Sequence, residues 1–164
     1  MADPQAPAAR RTIVPVLEQA QAAVLDWYAA NGRDLAFRHT TDPWAILVSE
    51  VMAQQTQAAR AAEAWRRFMA AYPTPTSMAA ASAADVIRAW RGLGYNRRAL
   101  ALHRAARAIV DDHGGRVPDS LEALVSLPGV GPYTARAVLE IAFDRPEVGI
   151  RRLLVNRTTL SPGN

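Results

Sequence analysis

The chain has 164 residues, with 19 basic against 15 acidic side chains for a formal net charge of +4, half of its residues hydrophobic, and no cysteine. That length suits one domain, and the apolar share, with 21% charged residues, supplies a real core and excludes wholesale disorder. The lack of cysteine excludes a disulfide framework, a thiolate zinc or iron–sulfur site and a cysteine nucleophile, and because every basic residue is arginine, Schiff-base catalysis by lysine is excluded as well.

An isoelectric point near 10.3 carried by guanidinium groups suits a polyanionic partner, since arginine grips phosphate through a bidentate fork. No run reaches the roughly 18 apolar residues of a membrane span, and the opening residues lack the apolar core of a secretory signal. A soluble, cytoplasmic chain is the expectation.

Residues 1–12, rich in Ala and Pro, are expected to be a disordered lead-in. From Ile13 the apolar positions Leu17, Ala20, Val24 and Trp27 recur at helical spacing, and this helix is expected to stop near Asn31-Gly32. Arg33 to Thr41 reads as a loop. Asp42 and Pro43 then provide a cap and a first-turn proline for a second helix, whose core stripe is Trp44, Leu47, Val48 and Val51. A third pattern through Ala61, Trp65, Phe68 and Tyr72 ends at Pro73-Thr74-Pro75, and a short one follows with Val86, Ile87 and Trp90. Gly92-Leu93-Gly94 interrupts it.

The next helix has Leu102, Ala106 and Ile109 on one side, with Arg97, Arg98, Arg104 and Arg107 largely around it, and ends at His113-Gly114-Gly115. Asp119 with Glu122 reads as a capping box for a short helix ending near Ser126. After Leu127-Pro128-Gly129-Val130-Gly131, Pro132 opens a last helix through Val138, Leu139 and Phe143. Nothing alternates at period two for long, so the fold is expected to be all-α.

Two features point to chemistry. The glycines of the 127–131 hairpin allow a tight turn after which helix N-terminal amides face outward together, an arrangement suited to phosphate. A plain glycine-rich connection between packed helices would use the same residues. Glu50 has Ile46, Leu47 and Ala53 as helical neighbours and Gln54 one turn on; desolvation there would raise its pKa and make it usable as a general acid. An exposed glutamate, or one paired with arginine, fits the same periodicity. The dense polar patch from Ser49 to Gln57 on a core helix favours the acid.

Ser49-Glu50-Val51-Met52-x-Gln54-Gln55-Thr56, Gly92-Leu93-Gly94-Tyr95 and Leu127-Pro128-Gly129-Val130-Gly131-x-Tyr133-Thr134-Ala135, in this order and spacing, resemble the MutY adenine DNA glycosylases of the helix-hairpin-helix repair superfamily. Leu25-Asp26-Trp27-Tyr28 and Arg33-Asp34-Leu35-x-x-Arg38 agree, and the resemblance extends over about residues 13–143. It implies an all-α helix-hairpin-helix glycosylase fold, with the helical domain at 13–147 and its hairpin motif at about 121–143, acting as a monomer on double-stranded DNA that holds adenine opposite guanine or oxidised guanine. It implies that Glu50 protonates the flipped adenine, with Tyr133 lining the pocket near the developing sugar cation. Gln55 and Thr56 match positions at the orphaned base, Gln54 beside them counts among the DNA-binding residues, and Arg38 matches a pocket arginine. Leu93 and Tyr95 match a wedge filling the stack, and Leu127, Gly129, Val130 and Gly131 match the phosphate-binding hairpin. Core packing is an alternative for Leu93, and ordinary burial for Tyr95. In the sister endonuclease III group a lysine stands where this chain has Tyr133, so the resemblance implies a monofunctional glycosylase without lysine-dependent strand cleavage.

The resemblance fails past about Val148. The family's second carboxylate is an aspartate eighteen residues beyond the position of Tyr133, where this chain has Arg151. A guanidinium beside a developing cation is electrostatically wrong; Asp144 and Glu147 fall seven and four residues early. Residues 148–164 form a divergent tail, suggestive of truncation or a frameshift, and the family's four-cysteine iron–sulfur loop and C-terminal domain are missing, so no cofactor is expected. The stripe from Ile13 to Trp27 is expected to lack part of its partner surface. A fragment that binds DNA through the hairpin but has lost the chemistry is the alternative function.

Overall fold

A computed structural model describes residues 19–27, 30–32 and 34–145. The lead-in, Ile13, Leu17, Glu147, Arg151 and the tail from Val148 lie outside the described residues. The chain divides into two compact units with a boundary between Asp34 and Leu35. In the first, residues 19–27 are helical, and Val24 and Trp27 on the expected stripe are each 64% exposed.

The second unit is all-α among its described residues. Its helices are α1 (Pro43–Ala53), α2 (Ala58–Ala71), α3 (Pro75–Ala79), α4 (Ala83–Ala89), α5 (Asn96–His113), α6 (Leu121–Ser126) and α7 (Pro132–Phe143), preceded by a single 3-10 turn at Ala36–His39. That turn lies inside the stretch expected as loop.

α1 is the central helix. The Asp42 carboxylate accepts from the Ala45 amide at 2.9 Å and Pro43 fills the first position, so the start expected from sequence is the start observed. Every side chain from Trp44 to Ser49 is buried, as are Val51 and Met52, which leaves α1 covered nearly all round. α2, α5 and α7 pack against it. Two indoles tie this packing to backbone: Trp65 donates to the Ala45 carbonyl at 2.9 Å and Trp44 to the Tyr72 carbonyl at 3.1 Å. Phe68 is fully buried between Tyr72 and Trp90, with ring centroids 5.1 and 5.7 Å away in edge-to-face geometry.

Two local expectations need correction. Pro75 starts α3 rather than merely ending the preceding helix, because Thr74 and Ser77 cap each other reciprocally, with serine where a glutamate or glutamine would signal a capping box. The cap of α6 is Ser120, which accepts from the Ala123 amide at 3.3 Å, and Asp119 instead pairs with Arg145 at 2.7 Å. That exposed ion pair joins the segment before α6 to the one after α7.

Candidate functional site

The C-terminal end of α1 and the N-terminal ends of α5 and α7 meet on one side of the unit. The Gln54 side-chain amide donates to Thr134 Oγ1 at 3.3 Å, joining the residue one turn after Glu50 to the residue after Tyr133. Glu50 is half-buried, while Tyr133 stands 66% exposed at the start of α7. A cleft of about 330 Å³ follows between α1, α5 and the hairpin, lined among others by Val51, Gln54, Arg97, Arg104 and Gly129. A larger groove of about 890 Å³ lies at the other ends of α1, α5 and α7, beside Pro43, His113 and Phe143, away from these residues.

In the hairpin, the backbone rather than the side chains is presented to solvent. Leu127 and Val130 are buried, and the Val130 amide donates to the Leu127 carbonyl at 3.1 Å. Gly129 and Gly131 are exposed, and Gly131, the N-cap of α7, has no side chain to cap it, which leaves the first-turn amides for an outside acceptor. The two glycines are not equivalent. Gly129 has φ +78° and a Cβ there would stand 2.7 Å from the Ala101 Cβ, whereas Gly131 faces open space with an ordinary φ of −86°. Gly129→Ala is therefore expected to destabilise the chain by about 1–3 kcal/mol and Gly131→Ala to change stability by less than about 0.5 kcal/mol, measured by urea unfolding. Equal effects would contradict the close approach at Gly129.

The two loops beside α1 and α5 carry unusual backbone. Gln55 at φ +53° and Tyr95 at φ +47° occupy the left-handed region, which non-glycine residues rarely adopt. Tyr95 is 58% exposed. Leu93 is 6% exposed and packed in the core, so in this conformation the exposed apolar group of the turn is Tyr95. The Trp90 indole donates to the Gly94 carbonyl at 3.1 Å and holds the turn from beneath. Gln54 and Gln55 are exposed and Thr56 half-buried, while Arg38 is half-buried in the 3-10 turn that packs on α1 and α2.

Arg98 was expected around the helix surface, and its burial corrects that reading. Its Nη1 donates to the carbonyls of Val51 at 3.1 Å, Met52 at 3.4 Å and Gln54. Nη2 donates to the carbonyls of Leu93 at 2.8 Å and Gly94 at 3.4 Å and to Thr56 Oγ1 at 3.3 Å. Burial pushes its pKa below the ordinary arginine value, with the neighbouring Arg97 adding in the same direction and Tyr95 opposing; an arginine so placed stays protonated. The signal for it was present: position 98 precedes Leu102, Ala105 and Ile109 on the buried stripe of α5, and a charge on such a stripe needs partners.

Asp144, considered as a substitute second carboxylate, caps the far end of α7 with φ +50°. Eleven residues of helix put it about 16 Å from Tyr133, too far to serve the same pocket. An iron–sulfur cluster of the kind the resemblance carries needs thiolates; the sequence has no cysteine, and no group of three or more histidine, cysteine, aspartate or glutamate residues among the described ones could hold a metal ion. The residues present do not fit such a group.

The chain is 53% identical over 121 residues to the adenine DNA glycosylase of Mycobacterium tuberculosis (strain ATCC 25618 / H37Rv), covering 73% of this chain and 40% of that protein. It is 37% identical over 141 residues to the thymine-DNA glycosylase of Aeropyrum pernix, covering 85% of this chain and 63% of that protein. Among solved structures it is similar to a thermostable thymine-DNA glycosylase, with a TM-score of 0.71 and 31% identity over 78% of this chain and 59% of that one. The chain thus spans about two fifths of the length of the adenine glycosylase it matches. The all-α fold with its glycine hairpin, and the match of residues 48–159 to the family described as HhH-GPD superfamily base excision DNA repair protein, agree with one another: the chain belongs to that superfamily.

Proposed function

We propose that this chain is the helical catalytic part of an adenine DNA glycosylase, which hydrolyses the N-glycosidic bond of adenine opposite guanine or oxidised guanine in double-stranded DNA. The observation that carries the reading is the Gln54–Thr134 hydrogen bond of 3.3 Å, which holds the helix of Glu50 in register with the helix that presents Tyr133. Identity of 53% to an adenine DNA glycosylase supports the choice of base.

The hairpin amides grip a backbone phosphate and fix the register of the duplex without reading its sequence. Adenine is turned out of the stack at a cost of about a few kcal/mol, and Tyr95 fills the gap it leaves. Glu50, as the carboxylic acid, gives its proton to a ring nitrogen of the flipped base. The bond between the sugar carbon and the base then breaks, and its electron pair leaves on a neutral adenine. Water adds to the sugar carbon and returns a proton to the Glu50 carboxylate, so that atoms and charge balance. Tyr133 faces the sugar as positive charge develops. Neither a metal, a cluster nor a lysine nucleophile enters this scheme, and the chain acts as a monomer.

A second reading, duplex binding without chemistry, is favoured by Arg151 at the position matched to the family's second carboxylate. Both readings need the hairpin. Affinity for a labelled duplex holding adenine opposite oxidised guanine, followed by fluorescence anisotropy, is expected to fall steeply as salt rises and to drop about tenfold in Gly131→Asp, which sets a carboxylate against the phosphate. Salt-insensitive binding, or equal affinity in Gly131→Asp, would contradict both.

A further inference from the structure

The fork of Arg98 is divided between two loops. Its Nη1 serves the carbonyl end of α1 up to Gln54, and its Nη2 serves the Leu93-Gly94 turn together with Thr56. The carbonyls taken by each nitrogen end immediately before a left-handed residue, Gln54 before Gln55 and Gly94 before Tyr95, and Thr56, just past Gln55, ties Nη2 to the first loop as well. The carbonyls at a helix C-terminus have no intrahelical partner, and a cation there also meets the negative end of the helix dipole. The guanidinium carbon also lies 5.6 Å from the Trp90 ring centroid and 5.7 Å from that of Tyr95, so it packs against the ring of one probe directly.

We propose that Arg98 is a positioning residue that locks the Gln55 and Tyr95 loops into one rigid, two-pronged probe, so that the group meeting the orphaned base and the group filling the stack enter the duplex together. The inference rests on the glycosylase reading of those two loops. Strained backbone persists only where its surroundings over-determine it, and the bonds from one guanidinium do so for both loops at once. The probe is therefore ordered before DNA arrives, and binding spends nothing on arranging it. Lysine at this position keeps the charge but is a compact ammonium without the planar fork, and cannot serve both loops in the same way.

The test uses the full chain, Arg98→Lys and Arg98→Met, with two readouts. In the free protein, amide hydrogen exchange over residues 54–57 and 93–96 is expected to speed up together by about tenfold in Arg98→Lys while the core of α1 and α5 stays protected. On DNA, the unstacking fluorescence of 2-aminopurine placed at the adenine position is expected to fall about tenfold, while affinity for undamaged duplex at fixed salt stays within about twofold, because the hairpin is untouched. A variant that only loosened the protein in general would lose core protection and undamaged-duplex affinity too. Loops that loosen separately, loops that do not loosen, or an unchanged fluorescence signal with both loops loosened would overturn the proposal. If Arg98→Met fails to fold, Arg98→Lys and Thr56→Val, which removes one of the bridging acceptors, still decide it. A natural chain that gives no unstacking signal on any duplex would overturn the glycosylase reading and the insertion role with it, and the exchange measurement separately decides whether Arg98 couples the loops.

Discussion

Glu50→Gln is expected to slow single-turnover adenine release by about 10²–10⁴-fold while leaving duplex affinity within about twofold. Glutamine has nearly the same shape, so the half-buried site near the end of α1 stays filled, but its amide has no proton to give to the departing base. Affinity for the duplex rests on the hairpin between α6 and α7, which lies outside the helix that carries Glu50. Release that survives the substitution would remove Glu50 from the role of acid.

Phe68→Ala is expected to lower the unfolding free energy by about 3–5 kcal/mol, through the lost transfer of the ring and the cavity it leaves. Phe68 has no exposed surface and its ring contacts both Tyr72 and Trp90 edge-on. The damage should also reach the site, because the Trp90 indole that packs on it holds the Gly94 carbonyl before Tyr95. Urea unfolding measures the first effect, as a lower midpoint at unchanged slope. A loss below about 1 kcal/mol would mean that the surrounding core collapses onto the vacated space.

Much of this arrangement was legible from residue types alone. Asp42-Pro43 announced the start of α1, and the helix and its core stripe lie where that signal put them. Gly114, in a left-handed cap, ends α5 where the glycine pair predicted. The hairpin between α6 and α7 falls on the expected residues as well. What escaped was information that lies between elements. Arg98 looked like one more surface arginine because its acceptors are the Thr56 hydroxyl and backbone carbonyls, 42 to 47 residues away at the end of α1 and four or five residues back in the preceding turn. None of these carbonyls carries a sequence signature.

The same limit applies to Leu93 and Tyr95. Two apolar groups two residues apart share a short turn, and only the left-handed backbone at Tyr95 decides that one turns out while the other enters the core. Asp119 and Ser120 are both good capping residues, and the choice of Ser120 follows from an ion pair with Arg145 at the far end of the hairpin motif. Asp144 could be set aside only once its position at the far end of α7 was known.

Single-turnover base release by the unaltered chain, in excess over labelled duplex, tests the central claim most directly. One duplex holds adenine opposite oxidised guanine and a second holds thymine opposite guanine. The account predicts release of adenine from the first and none of thymine from the second. No release from either, with salt-sensitive binding intact, or release of thymine instead, would contradict it.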